Sequence, residues 1–215
     1  MKKTILTAVI LMFLGNVMAQ QANFENAIKE TLTLLDSAKT TTDLQTAASK
    51  FERIAAVESL RWEPLYYHAF IYINLSFREK NGDKKDALLD VAQNDIDKAL
   101  EANGNKSELY ALQGFLYQGR IQVSAMRGMS YSQKAAEILE KAVKENPENP
   151  RAQFLLGQNI YYTPKMFGGG SKNALPKFIL AKELFEKETE KSDITPRWGA
   201  KSNQRMIDAC NKENS

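Results

Sequence analysis

The sequence has few of the residues on which disulfide-linked, metal-dependent and catalytic proteins rely. It contains a single cysteine, Cys210, and a single histidine, His68. One cysteine cannot close a disulfide within the chain, so the stability of the fold must come from packing. A lone histidine without a nucleophile or a ligand-spaced partner does not indicate a catalytic or metal site. We therefore expect no enzyme activity, no metal ion and no cofactor.

Long apolar runs are missing after the first twenty residues. The chain begins with two lysines and the stretch TILTAVILMFLG, which is short for a membrane span. Val17 and Ala19 then occupy the small-residue positions of a signal-peptidase site. The interpretation is a signal peptide over residues 1–19, with an uncleaved anchor as the alternative. Residues 20–215 are then one exported domain, in the periplasm of a Gram-negative bacterium or outside the cell, without stable membrane insertion.

An excess of charge of one sign is also missing. The chain carries 29 Lys and Arg residues against 26 Asp and Glu residues. Removal of the two lysines in the predicted signal peptide makes the two totals nearly equal. Proteins that bind nucleic acid use a basic field to attract phosphates. The charge balance therefore argues against a nucleic-acid partner.

Strand patterns are nearly absent, and apolar residues instead recur three and four positions apart. Phe24, Ile28 and Leu32, for example, share one face of a helix. Thr42 and Gln45 have the spacing of a capping box at the start of the next helix. Three prolines stand at plausible first helical positions, namely Pro64, Pro150 and Pro196. These patterns predict nine helices in the mature chain and an all-α fold.

The helical pattern repeats along the chain. Successive segments place a small residue between large ones, at positions that suit close contact between the two helices of a hairpin. These small residues are Ala69, Gly114 and Gly157 in the first helices and Ala92, Ala135 and Ala174 in the second. On these residues the sequence resembles the tetratricopeptide repeat (TPR) family over almost the whole mature chain. The resemblance implies a right-handed α-solenoid of about four helical hairpins with a C-terminal capping helix.

The chain departs from the family between the two helices of each hairpin. The small positions lie farther apart than in the family, which predicts an insertion at each turn. Insertions at equivalent turns project from the same edge, so SFREKNGDKKD, GRIQVSAMRGMSYS and TPKMFGGGSK are expected to form a loop rim. The rim either recognises a partner or covers the helix ends. The FGGG turn is similar to one in exported bacterial repeat proteins, mostly of unassigned function, and in repeat subunits that accompany some solute transporters.

Three consecutive glycines, Gly168, Gly169 and Gly170, raise the question of a phosphate-binding loop. Such a loop has Lys before Ser or Thr and follows a strand, whereas here Ser171 precedes the lysine and a helix comes before. We predict a tight turn in which glycines permit positive φ angles. Ser171 is expected to cap the helix that follows.

The family resemblance implies recognition on the concave surface by residues of the first helices. Arg151 is placed to hold a carboxylate by two hydrogen bonds. We expect it to be exposed, together with Gln158 and Tyr162, whereas Trp198 is expected to seat the final helix. The candidate binding residues of the groove and the rim are Tyr66, Asn74, Glu108, Gln118, Arg120, Arg127, Arg151, Gln158, Tyr161, Tyr162 and Phe167.

Two functions follow from this arrangement. The first is recognition of a protein or peptide partner through the groove and the rim. The second is binding of a small molecule, as an accessory of an envelope solute transporter. A small-molecule carrier needs an enclosed pocket between the RIQVSAMRG and MFGGG loops, and a peptide binder needs an open groove. A third, an envelope hydrolase, has no recognised catalytic residues, and the sequence does not indicate an oligomeric state.

Overall fold

The computed structural model describes residues 2–188 and 193–214, which form nine α-helices and two short 3-10 helices, without a strand among them. In chain order the α-helices are α1 (Lys2–Ser37), α2 (Thr41–Val57), α3 (Glu63–Arg78), α4 (Gly82–Glu101), α5 (Lys106–Ile121), α6 (Gly128–Glu145), α7 (Pro150–Tyr162), α8 (Ser171–Lys187) and α9 (Ala200–Asn214). The 3-10 helices are Ala125–Arg127 and Lys165–Phe167. The predicted all-α fold is confirmed.

The helices pack as a row of hairpins. α3 packs on α4, α5 on α6, and α7 on α8, and α9 closes the row against α8. Each first helix also contacts the next first helix, α3 with α5 and α5 with α7. This arrangement is the predicted α-solenoid, in which the first helices line the concave surface.

The first helix, α1, continues without a break through the predicted cleavage site. The boundary between a signal peptide and a mature domain therefore stays a prediction from the sequence. Within the described part of the chain, no helix is both long enough and apolar enough to cross a membrane.

Small residues bring the two helices of a hairpin together where the sequence predicts it. A Cβ atom added to Gly114 would lie 2.5 Å from the side chain of Leu139. A Cβ atom added to Gly157 would lie 2.6 Å from the ring of Phe178. Because core side chains are already close-packed, neither neighbour leaves room for a larger residue.

The core has two parts that meet at the concave surface. The first part lies between α1 and α5 and includes Ile28, Phe51 and Ile71. The second lies between α5 and α9 and includes Leu155 and Phe178. Two aromatic residues, Phe115 and Trp198, pack against both parts.

The prediction of an enlarged turn in each hairpin is wrong for the hairpin of α3 and α4. α3 ends at Arg78 and α4 begins at Gly82, so their turn is only residues 79–81. The additional residues belong to α4 instead, which has 20 residues. A wider spacing between contact positions can come from a longer helix as well as from a longer turn. The other two turns are enlarged, at 122–127 and 163–170, and each contains a 3-10 helix.

Two predicted helix starts also need correction. The capping box of α2 consists of Thr40 and Asp43, two residues before the predicted pair, and the Asp43 amide donates to the Thr40 hydroxyl at 3.1 Å. Pro196 does not start a helix, since α9 begins at Ala200 after a left-handed Gly199. Pro150, by contrast, is the first residue of α7, as predicted.

The glycine-rich stretch forms a reversal between α7 and α8. Gly168 and Gly170 have φ angles of +83° and +99°. A Cβ atom on Gly169 would lie 1.8 Å from the carbonyl oxygen of Thr163. Ser171 does not cap α8 as expected, because the cap position is Gly170 and the Ser171 hydroxyl donates to Asn214 Oδ1 at 2.8 Å.

Candidate ligand-binding site

Part of the concave groove is filled by the chain itself. Residues 194–199, here called the groove segment, cross it between α8 and α9. The ring of Trp198 stacks on Phe70 with centroids 4.9 Å apart and on Phe115 with centroids 5.6 Å apart. Trp198 therefore does more than seat the final helix, because it covers the aromatic residues of two first helices.

Two buried tyrosines of α3 hold the groove segment by hydrogen bonds. The indole nitrogen of Trp198 donates to the Tyr66 hydroxyl at 2.9 Å, and the Tyr67 hydroxyl donates to the Ile194 carbonyl at 3.1 Å. Burial raises the pKa of both tyrosines, so both stay protonated. Tyr66, a predicted partner-binding residue, is thus occupied within the chain.

Arg151 is fully buried, and the expectation that it is exposed is wrong. Its guanidinium donates two hydrogen bonds to Glu108, at 2.7 and 2.8 Å, and it also pairs with Glu188. Burial by itself lowers the pKa of the guanidinium, but the attraction of Glu108 and the hydrogen bonds of both carboxylates raise it above its ordinary value. The two-pronged contact that was expected for a partner's carboxylate is made instead to a carboxylate of the protein itself.

The rim arginines Arg120 and Arg127 also bind carboxylates of the chain. Both donate to Asp86 Oδ1, Arg120 at 2.5 Å and Arg127 at 2.8 Å, and Arg120 also contacts Asp90. Burial raises the pKa of Asp86, but the hydrogen bonds from Arg127 and Arg120 outweigh this and hold it below its usual value. These pairs fasten the 122–127 turn to α4.

Two further candidates make local contacts. The Tyr161 hydroxyl donates to Glu213 of α9, and this hydrogen bond is the main cause that raises the pKa of Tyr161 to about 12. The Asn74 amide donates to the carbonyl of Phe70 at 2.7 Å. The Tyr161 contact therefore joins α7 to α9, whereas the Asn74 contact stays within α3.

An open part of the concave surface remains at the carboxyl ends of α3, α5 and α7. There the three helices enclose a cavity of about 440 Å³, here called the end cavity. Its volume is within the range of about 300–1,000 Å³ that is usual for ligand pockets. It is lined by Phe77, Phe115, Gln118, Ile121, Gln122, Gln158, Asn159 and Tyr162.

The end cavity combines aromatic walls with amide side chains. The rings of Phe77 and Phe115 lie 5.1 Å apart and tilt by 35°. The amide of Gln118 is held by the carbonyl of Leu155 at 2.9 Å. The Gln158 side chain makes no hydrogen bond to any residue that the structure describes. An apolar pocket with a few polar groups is the usual composition of a small-molecule site.

The mouth of the cavity adjoins exposed apolar side chains of the two enlarged turns. Tyr162 is 72% exposed, and its ring meets that of Tyr161 edge to face at 5.0 Å. Four more large apolar residues of the turns and the start of α6 are exposed, and we call them the apolar rim: Met126, Met129, Met166 and Phe167. Exposed apolar groups of this size often mark binding surfaces.

Of the residues proposed from the sequence, Gln118, Gln158 and Tyr162 meet at the end cavity. Four other residues of the lining were not proposed from the sequence: Phe77, Ile121, Gln122 and Asn159. Helical spacing could have found Ile121 and Gln122, which follow Gln118 by three and four positions and therefore share its face. These two residues were not proposed because the family's binding positions in α5 end before them.

His68 and Cys210 lie away from the end cavity. His68 Nδ1 is 2.6 Å from Asp95 Oδ2, and the pair lines a separate cavity between α2, α3 and α4. Burial raises the pKa of the Cys210 thiol, so it is a core residue of low reactivity. Among the residues that the structure describes, no group of three or more His, Cys, Asp or Glu residues could hold a metal ion.

The fold defines a TPR-like helical-repeat protein. A thermophilic TPR protein of Thermus thermophilus has the same fold, with a TM-score of 0.60, 17% identity and 95% of each chain covered. The HusA haemophore from Porphyromonas gingivalis is 31% identical, with a TM-score of 0.81 over 89% of this chain and 94% of HusA. The chain belongs to the same family as HusA. No family model and no curated protein matches the sequence.

Proposed function

We propose that the protein binds haem as a cargo in the end cavity. The observation that carries this proposal is an open, aromatic cavity at the loop end of the solenoid in a relative of a haemophore, a protein that carries haem. The groove segment occupies the middle of the groove, and the end cavity stays open. The end cavity differs from the enclosed pocket between the two loops that the sequence argument required of a small-molecule carrier, because it is open and lies at the ends of α3, α5 and α7.

The chemistry of the cavity suits a flat macrocycle. Haem presents two wide apolar faces, and the tilted rings of Phe77 and Phe115 offer matching aromatic surface. The amides of Gln122 and Gln158 are available for polar groups at its edge. Desolvation of the macrocycle between aromatic side chains would supply most of the affinity.

Iron ligation does not involve histidine in this proposal. Haem iron takes His, Cys, Met or Tyr as an axial ligand. Neither His68 nor Cys210 lines the end cavity, and Tyr162 is the residue of these four types that does. The methionine thioethers of the apolar rim, which follow the cavity residues in sequence, are the other candidate ligands for the iron.

Export is part of the proposal. The predicted signal peptide over residues 1–19 suits a carrier that meets its cargo outside the cytoplasm. Binding without catalysis is consistent with the scarcity of reactive side chains near the cavity.

A titration with haemin tests the proposed site. Gln158→Trp fills the cavity with a large ring, and Gln204→Trp makes the same change on the exposed surface of α9. We expect a saturable Soret spectrum for the wild type and the α9 variant, and at least about a tenfold weaker affinity for Gln158→Trp. The absence of saturable binding, or equal affinities for all three proteins, would contradict the proposal.

Recognition of a protein or peptide partner is a second candidate. The observation that favours it is the apolar rim, whose four side chains have no role in the core. A cross-linked pull-down from envelope extract tests it with the wild type and a Met166→Gln/Phe167→Gln variant. A discrete partner captured only by the wild type would support this function, and equal capture would remove its basis.

A further inference from the structure

A second, smaller cavity lies along α3. It has a volume of about 210 Å³, and we call it the arginine cavity. Its lining includes Phe70, Asn74, Arg78, Arg197 and Trp198, so that two guanidinium groups stand beside aromatic rings. Arg78 comes from the last turn of α3 and Arg197 from the groove segment.

An aromatic wall of Phe70, Phe115 and Phe77 runs from the arginine cavity to the end cavity, and Trp198 stacks on its first two rings. Phe70 lines the arginine cavity and Phe77 lines the end cavity, seven residues apart on α3 and therefore on the same face. Phe115 bridges them, with ring centroids 6.2 Å from Phe70 and 5.1 Å from Phe77. A flat ligand that lies on this wall in the end cavity would point one edge toward the arginine cavity.

The two arginines retain donors for a ligand. Arg78 is exposed and donates to the carbonyl of Lys39 at 3.2 Å, and its charge also attracts the nearby Asp43 carboxylate. Arg197 pairs with Asp36 at 3.1 Å, but both side chains are about half exposed, and exposed pairs of this kind are weak. Each guanidinium has five N–H donors, and each arginine uses one of them in a hydrogen bond to a described residue.

The other arginines around the groove are bound more firmly than Arg78 and Arg197. Arg151 is buried between two carboxylates, and Arg120 and Arg127 are both bound to Asp86. Those three side chains have a structural partner that a ligand would have to displace. Arg78 and Arg197 can turn to a new carboxylate at little cost to the fold.

We propose that Arg78 and Arg197 form a carboxylate subsite that holds the acidic edge of a flat apolar ligand bound in the end cavity. The inference rests on the proposed function, because haem carries two propionate groups on one edge. A guanidinium binds a carboxylate by two parallel hydrogen bonds, which fixes orientation as well as adding affinity. The subsite therefore selects dicarboxylate porphyrins and sets which edge faces the groove segment.

The test compares haemin with its dimethyl ester, in which both carboxylates are neutral. The variant is Arg78→Gln/Arg197→Gln, and the matched control is Arg205→Gln, an exposed arginine of α9 that donates to the Ser202 hydroxyl. We expect the double variant to lose about tenfold in affinity for haemin and to bind the ester as the wild type does. The control should bind both ligands like the wild type.

Two results would overturn the subsite. One is an unchanged haemin affinity in the double variant. The other is an equal loss of affinity for haemin and for the ester in a double variant that unfolds at the wild-type temperature. Loss of a carboxylate contact cannot weaken binding of the ester, which has no free carboxylate. If the wild type binds neither ligand, the proposed function itself fails, and the subsite fails with it.

Discussion

Arginine side chains around the groove are found in two different environments. Arg151 joins three parts of the chain, because it binds Glu108 of α5 and Glu188 after α8 and lies within 3.5 Å of the Trp198 carbonyl. Arg78 and Arg197 are exposed at the edge of the arginine cavity. The sequence cannot separate these roles, since burial of an arginine depends on which distant carboxylate the fold brings to it.

Removal of the Arg151 charge should strongly destabilise the protein. Arg151→Met keeps much of the side-chain volume but leaves the buried Glu108 carboxylate without its cation. We expect the free energy of unfolding, measured by urea titration with circular dichroism, to fall by about 3–5 kcal/mol. Adding Glu108→Gln to this variant should restore part of the loss, because the buried charge is then also removed. A loss below about 1 kcal/mol would instead match an exposed ion pair.

At the scale of helices and turns, periodicity predicted most of the fold. The three- and four-residue spacing of apolar residues and the small residues Gly114 and Gly157 follow directly from helix packing, and both predictions hold in the structure. The turn between α3 and α4 was predicted to be too long, because the additional residues continue the helical pattern and belong to α4. Spacing alone cannot distinguish a longer helix from a longer turn.

The glycine turn gives a prediction at this scale. Gly169→Ala places a Cβ atom against the carbonyl of Thr163, and backbone atoms of a tight turn cannot move away cheaply. We expect a loss of about 1–3 kcal/mol in the free energy of unfolding. Gly128→Ala is the control, because its Cβ atom would meet nothing within 4 Å, and its effect should stay within about 1 kcal/mol and favour stability. Equal stabilities of the two variants would show that the turn tolerates a side chain at position 169.

At the scale of the whole molecule, the concave surface is divided between the groove segment and the open end cavity. The groove segment fills the middle with Trp198, and the end cavity stays open beside the enlarged turns. This division was beyond prediction from the sequence. It depends on a contact between α3 and residues more than a hundred positions later, for which no local pattern exists.

The candidate site was predicted only in part for the same reason. Gln118, Gln158 and Tyr162 were found because they occupy the family's groove positions. Phe77 was missed because it lies beyond those positions, at the end of α3. Glu108 and Arg151 were chosen for their charge, and that charge is used inside the protein.

The most direct test of haem binding in the end cavity is a map of the contact in solution. Haemin contains paramagnetic iron, which broadens the amide resonances of nearby residues in ¹⁵N-labelled protein, and metal-free protoporphyrin is the diamagnetic control. We expect the broadening to be strongest at Phe115, Gln118, Gln158 and Tyr162 and absent at His68. Broadening centred on the His68–Asp95 face, or no specific broadening at all, would contradict it.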